Sequence, residues 1–124
     1  MAQRRAVLVV EDEAEIADWL AQFVADAGCS VIGPVASSLK AQELINEKGI
    51  DAALLDITLK FGDQSLELAE RLQAMHIPFA FVTAYSRSLL PVCFQGVPCV
   101  VKPFSREDVL GILSKLLPPS VRPA

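Results

Sequence analysis

The sequence predicts an α/β domain built on a doubly wound parallel sheet, and three observations carry that prediction. Short, continuously apolar runs of strand length alternate with stretches whose apolar residues recur at helical spacing, in five βα units. The strand candidates are apolar on both faces, as strands are when helices cover a parallel sheet on each side. The polar residues capable of chemistry follow the strands, and right-handed crossovers gather those carboxyl ends on one edge.

Each element has a local reason. Ala6 to Val10 is an unbroken apolar strand, and Ile16, Leu20, Phe23, Val24 and Ala27 then keep helical spacing until Gly28 stops them. Ser30 to Val35 is a second strand, ended or distorted at Gly33-Pro34. Leu39, Leu44 and Ile45 mark a second helix that Ser37 or Ser38 can cap and that closes near Gly49. Ala52 to Leu55 is the third strand; Leu66, Leu68, Ala69, Leu72 and Met75 form the next helical stripe, with Asp63 a candidate N-cap. Phe79 to Val82 is a fourth strand, and Val97 to Val101 a fifth that Pro98 should trim or place at an edge. Ser105 to Asp108 reads as a capping box for a last helix carrying Val109, Leu110, Leu113, Leu116 and Leu117. Between the fourth and fifth strands, Ser86 to Gly96 contains Pro91 and a poor stripe, so its helix should be short or irregular.

The 124 residues suffice for one domain with a core of its own, expected over about residues 5–117, with 118–124 as a short tail. A composition 52% apolar and 21% charged is that of a globular chain rather than a disordered one. The net charge of −4, with no basic run beyond Arg4-Arg5, argues against a nucleic-acid partner. Cys29, Cys93 and Cys99 form no CxxC and are odd in number, which favours reduced thiols in the cytoplasm. No apolar stretch is long enough for a bilayer, and no signal peptide is evident.

The strand-end residues are Glu11 and Asp12 after the first strand, Asp56 at the end of the third, Thr83 at the end of the fourth and Lys102 after the fifth. Three carboxylates on one edge repel one another and resist burial unless a cation relieves them. A hard divalent ion is the natural partner, and Mg2+ suits a shallow oxygen site that retains waters and accepts phosphate. Lys102 and the Thr83 hydroxyl add a charge and a donor for an anion, around a carboxylate able to act as nucleophile. Blander roles stand beside these. Asp12 could cap the first helix with Glu15 completing a capping box, Asp56 could be a turn residue, and Lys102 a surface lysine. His76 fits a solvated helix end.

The segments VLVVEDE (Val7 to Glu13), ALLD (Ala53 to Asp56), FVTA (Phe81 to Ala84) and VVKPF (Val100 to Phe104) together resemble the signature of the receiver domain of two-component response regulators. The resemblance spans nearly the whole chain. It implies a flavodoxin-like sheet of order 2-1-3-4-5, an order for which a receiver is itself a standard example and which is taken here from the family. It implies that Asp56 accepts a phosphoryl group from a kinase phosphohistidine. It further implies that Asp12 ligates Mg2+ directly, Glu11 acts mainly through water, and the Thr58 carbonyl supplies another oxygen. Lys102, before a cis Lys102-Pro103 bond, would pair with the phosphoryl group, and Thr83 would hydrogen-bond it.

The chain departs from common receivers in two places. The loop after Asp56, Ile57-Thr58-Leu59-Lys60-Phe61-Gly62-Asp63, lacks the usual proline, and Cys99 replaces an aromatic three residues before the lysine. Tyr85 lies two residues beyond Thr83, and the segment is similar to the Phe-Ala-Thr-Gly-Tyr type of a divergent subgroup often found with HWE-type sensor kinases. Tyr85 and the segment after it are therefore expected to report phosphorylation in place of an aromatic at Cys99.

The sequence thus points to a stand-alone receiver, a Mg2+-dependent phosphoacceptor that is consumed as a substrate rather than acting as an enzyme. Its partners would be a sensor histidine kinase or phosphotransfer protein and an unidentified downstream protein, with no membrane or nucleic acid; it could also act as a phosphate sink. The alternatives are a pseudo-receiver that binds protein without being phosphorylated and a small phosphohydrolase, the latter disfavoured because Thr58 stands where a general acid would be needed.

Overall fold

The computed structural model describes residues 4–57, 62–84, 94 and 96–117, with backbone alone at 62–65. Its strands are β1 (Ala6–Val10), β2 (Ser30–Val35), β3 (Ala52–Asp56), β4 (Phe79–Thr83) and β5 (Cys99–Val101). They pair in parallel in the order β2-β1-β3-β4-β5. The helices among the described residues are α1 (Ala14–Asp26), α2 (Ser38–Glu47), α3 (Gly62–Ala74) and α4 (Arg106–Leu116). No helix among them is long and apolar enough to cross a membrane.

The two-residue period of a strand divides the core into two. Val7, Val9, Leu54, Ala80, Val82 and Val100 face Leu20 and Val24 of α1 and Val109 and Leu113 of α4. Leu8, Val10, Leu55, Phe79 and Phe81 face Ala41 and Ile45 of α2 and Leu68 and Leu72 of α3. Every residue of β3 and β4 is buried, as expected of central strands covered on both sides. Asp56 and Thr83 thus end the two most enclosed strands.

The expected boundaries hold with local corrections. Pro98 does trim the last strand, which starts at Cys99. The capping box of α4 is complete: Ser105 Oγ accepts from the Asp108 N–H at 3.1 Å, and Asp108 Oδ2 accepts from the Ser105 N–H at 2.9 Å. Ser37 caps α2 through the Lys40 N–H, whereas Leu39, assigned to the buried stripe, is largely exposed in the first turn. α3 begins at Gly62, so Asp63 lies inside its first turn and is not the N-cap. Met75 follows the end of α3 and is half exposed rather than part of its stripe.

Gly33 is needed where it stands. Its φ is +96°, and a Cβ there would lie 2.8 Å from the Val35 nitrogen and 3.1 Å from the Val9 carbonyl. It sits beside the shift in β1–β2 register between Leu8 and Val10, one step from the chain that leads into Glu11.

Two helices end in the same way with different residues. After α1, Gly28 (φ +84°) donates to the Ala25 carbonyl and Cys29 to that of Val24, the paired bonds of a Schellman motif. After α3, His76 donates to the Gln73 carbonyl at 3.1 Å and Ile77 to that of Leu72 at 2.9 Å, with His76 at φ +59°. His76 is exposed, as expected, but it occupies a left-handed position that glycine fills without strain. His76→Gly should therefore raise stability by about 0.5 kcal/mol, less than the relieved strain because glycine also loosens the unfolded chain. A urea midpoint below that of the wild type would contradict this.

Candidate functional site

The site lies at the carboxyl edge of β1, β3, β4 and β5, and backbone pairing sets its geometry. Glu11 extends β1 by one residue, donating its N–H to the Val35 carbonyl at 2.9 Å. This turns its side chain inward, leaving the residue 3% exposed, whereas Asp12 is solvent-exposed. The N-cap of α1 is Glu13, so Asp12 does not cap the helix, and Glu13 itself makes no side-chain cap. Ile57 donates to the Val82 carbonyl at 3.0 Å, which carries the β3–β4 ladder past Asp56. Lys102 donates its backbone N–H to the Thr83 carbonyl at 2.8 Å, fixing β5 beside β4, and the Lys102-Pro103 bond is cis as the family pattern implies. Thr83 is buried at 2% exposure.

The structure brings Glu11, Asp12 and Asp56 together, with one carboxylate oxygen from each inside a 4.8 Å span. The Lys102 ammonium donates to Asp56 Oδ1 at 2.9 Å and lies 3.1 Å from Glu11 Oε1 and 3.7 Å from Glu13 Oε1. Glu11 Oε2 accepts the Glu13 N–H at 3.2 Å. Glu11 Oε1 is buried, paired with Lys102 by charge but outside hydrogen-bonding geometry.

That oxygen tests whether a metal fits. A buried carboxylate oxygen with no directed donor, beside two further carboxylates, is a donor set for a hard cation. Glu11, Asp12 and Asp56 fit Mg2+ and would be the side chains that hold it. Thr58, whose carbonyl was expected to contribute, lies outside the described residues, as does Tyr85.

The electrostatics agree with an under-compensated anionic site. Burial, reinforced by the Asp56 charge, pushes Glu11 from 4.5 up to about 7 against the opposing pull of the Glu13 N–H and Lys102. Burial also raises Asp56, although its contact with Lys102 works the other way. Burial acts to lower Lys102, but Asp56 and Glu11 outweigh it and hold the ammonium above its usual range.

Around the site, Ile16, Trp19, Lys102, Pro103 and Phe104 line a pocket of about 240 Å³, and Trp19 is half exposed there. Cys99 is half-buried against the Phe79/Phe81 face of the core, its Sγ 3.8 Å from the Val97 carbonyl. The aromatic mass on that face comes from Phe79, Phe81 and Phe94, packed edge to face at centroid distances of 5.5 to 6.5 Å. Sequence reasoning overlooked Phe94, a lone aromatic in a segment without a helical stripe. It also overlooked the contact of Glu13 with Lys102, for which the only signal was a third acid directly after the pair.

Residues 7–114 match the model of the response regulator receiver domain. The solution structure of SdrG from Sphingomonas melonis Fr1 superimposes with a TM-score of 0.79 at 36% identity, covering 94% of this chain and 99% of that one. The same figures hold for a solution structure of the BeF3-activated conformation of SdrG from Pseudomonas melonis Fr1. The phyllosphere-induced regulator PhyR of Methylorubrum extorquens is 31% identical over 114 residues, covering 90% of this chain and 43% of that protein. The uncharacterized transcriptional regulatory protein YrkP of Bacillus subtilis is 30% identical over 107 residues, 83% of this chain and 45% of that one. The chain thus spans less than half the length of these two curated relatives.

Proposed function

This chain belongs to the response regulator receiver domain family, and on that premise we propose that it accepts a phosphoryl group on Asp56 and signals through protein contacts. Receiver domains interact with histidine kinases or phosphotransfer proteins, so the donor would be a phosphohistidine. The observation that carries this reading is the Lys102 ammonium hydrogen-bonded to Asp56 at 2.9 Å inside a three-carboxylate cluster. Neither an ordinary surface lysine nor a turn aspartate accounts for that arrangement, which suits an anion that arrives and leaves.

An oxygen of Asp56 attacks phosphorus as the phosphorus–nitrogen bond of the donor imidazole breaks, and the imidazole leaves with the bonding pair and takes up a proton. Lys102 then has phosphoryl oxygens to pair with in place of the carboxylate oxygen it holds now, and Thr83 is the candidate hydroxyl for the same group. Bound Mg2+ would supply neutralisation of the charge gathered between carboxylates and phosphoryl oxygens. Water later attacks the phosphorus of the acyl phosphate and returns Asp56 with release of phosphate. The BeF3-activated conformation solved for the related SdrG supports this reading by analogy.

The test is intact mass after incubation with acetyl phosphate and Mg2+. A gain of one phosphoryl group is expected in the wild type, with none in Asp56→Asn. An unmodified wild type would refute phosphorylation and leave a protein-binding module, whereas continued turnover of donor independent of Asp56 would point to a phosphohydrolase.

A further inference from the structure

Three carboxylates lie within 4 Å of the Lys102 ammonium, and they differ sharply in exposure. Asp56 and Glu11 have buried side chains, whereas the Glu13 side chain is 65% exposed with Oε1 at 3.7 Å. Glu13 occupies the N-cap of α1 without capping it, and its carboxylate lies beside Lys102 instead. Its backbone is pinned on both sides: the carbonyl accepts the Ala17 N–H at 2.8 Å, and the N–H donates to Glu11 Oε2. The ammonium donates a hydrogen bond to Asp56, and Glu11 and Glu13 add charge to it without a hydrogen bond. The outermost carboxylate stands on the solvent side, from which any phosphoryl donor must approach Asp56.

We propose that Glu13 is a positioning residue that sets donor preference, holding the outer side of Lys102 and so disfavouring small anionic phosphodonors relative to a protein donor. A small acyl phosphate must displace the Glu13 carboxylate from Lys102 while approaching against its charge. A protein donor can offset both effects by presenting a cation or hydrogen-bond donor of its own to Glu13. The inference rests on Asp56 being the phosphoacceptor.

Acetyl phosphate is the probe: an Asp56 oxygen–phosphorus bond forms as the bond from phosphorus to the acetate oxygen breaks, and acetate leaves. Rates of phosphoryl gain are measured by intact mass, with Mg2+ present, for wild type, Glu13→Gln, Lys102→Met and the double variant. Glu13→Gln should react about three- to tenfold faster than wild type at low ionic strength, with the advantage shrinking as salt is added. The part of the advantage that comes from displacing the carboxylate should vanish in the Lys102→Met background, where no ammonium holds it, leaving only the repulsion between charges. A structural role for Glu13 would produce neither the salt dependence nor the coupling. Equal rates for Glu13→Gln and wild type overturn the inference, as does equal acceleration in both backgrounds. Those results leave Asp56 as phosphoacceptor intact; failure of every variant to gain phosphate removes that reading and this inference together.

Discussion

Lys102→Met is expected to cost the metal-free protein about 3 kcal/mol at pH 8 and to slow phosphorylation of Asp56 by about a hundredfold. Methionine keeps most of the apolar stem, so the change isolates the charge. Removing the ammonium leaves Glu11, whose side chain is fully buried, and Asp56, at 8% exposure, facing each other and Asp12 without a cation. Breaking a buried pair on one side costs more than the pair contributes, because the remaining charge keeps its desolvation penalty. The penalty should shrink near pH 5, where Glu11 can take up a proton, and Mg2+ should restore most of it at pH 8 by supplying the missing charge. Urea unfolding in chelator, with and without added Mg2+, reads both effects. A variant within about 0.5 kcal/mol of the wild type at pH 8 in chelator would show that Lys102 is not the cluster's compensating charge. The rate effect is separable, since labelling is measured with Mg2+ present, where the fold is restored.

Strand order and site were legible to different degrees, for different physical reasons. A strand covered on both faces shows as an unbroken apolar run, so β1, β3 and β4 were readable directly, and the acids and threonine at their ends, with the lysine after β5, followed from topology. The order of the strands was not in the apolar pattern, which is compatible with several windings; it came from the resemblance and the structure bears it out. Side-chain contacts at the edge were less legible. EDE reads as a pair of metal ligands and a spare acid, and only the start of α1 at Ala14 shows that Glu13 turns toward Lys102 while Asp12 does not cap. Burial of Phe94 was invisible because no period surrounds it, yet it joins Phe79 and Phe81 in the core. The left-handed backbone at His76 was hidden because the residue carries no glycine signal. Leu39 misled in the opposite sense: an apolar residue at helical spacing in the first turn of α2 can simply face solvent.

In chelator, the wild type should lose stability as pH rises from about 5 to 8, by on the order of 2 kcal/mol, and Mg2+ should flatten or reverse that slope. Glu11 is raised from 4.5 to about 7 in the folded protein. Between those values the native state retains a proton that the unfolded chain has released, so the native state binds more protons and stability must fall with rising pH. This contribution is fully present below about pH 4.5 and is lost as pH passes through about 7. Asp56, also raised by burial, acts with the same sign; Lys102, raised above its usual range, changes only at much higher pH. A metal needs these carboxylates ionised, so its stabilisation grows over the window in which the metal-free protein weakens. Trp19, half exposed in the pocket it shares with Lys102, is the sole tryptophan and provides a fluorescence signal for both metal binding and unfolding. Glu11→Gln should flatten the slope in chelator, because an amide does not titrate, and should weaken the response to Mg2+. A wild-type protein that gains stability with rising pH in chelator would mean that the Lys102 ammonium already satisfies the cluster, and Mg2+ would then have no buried charge to relieve.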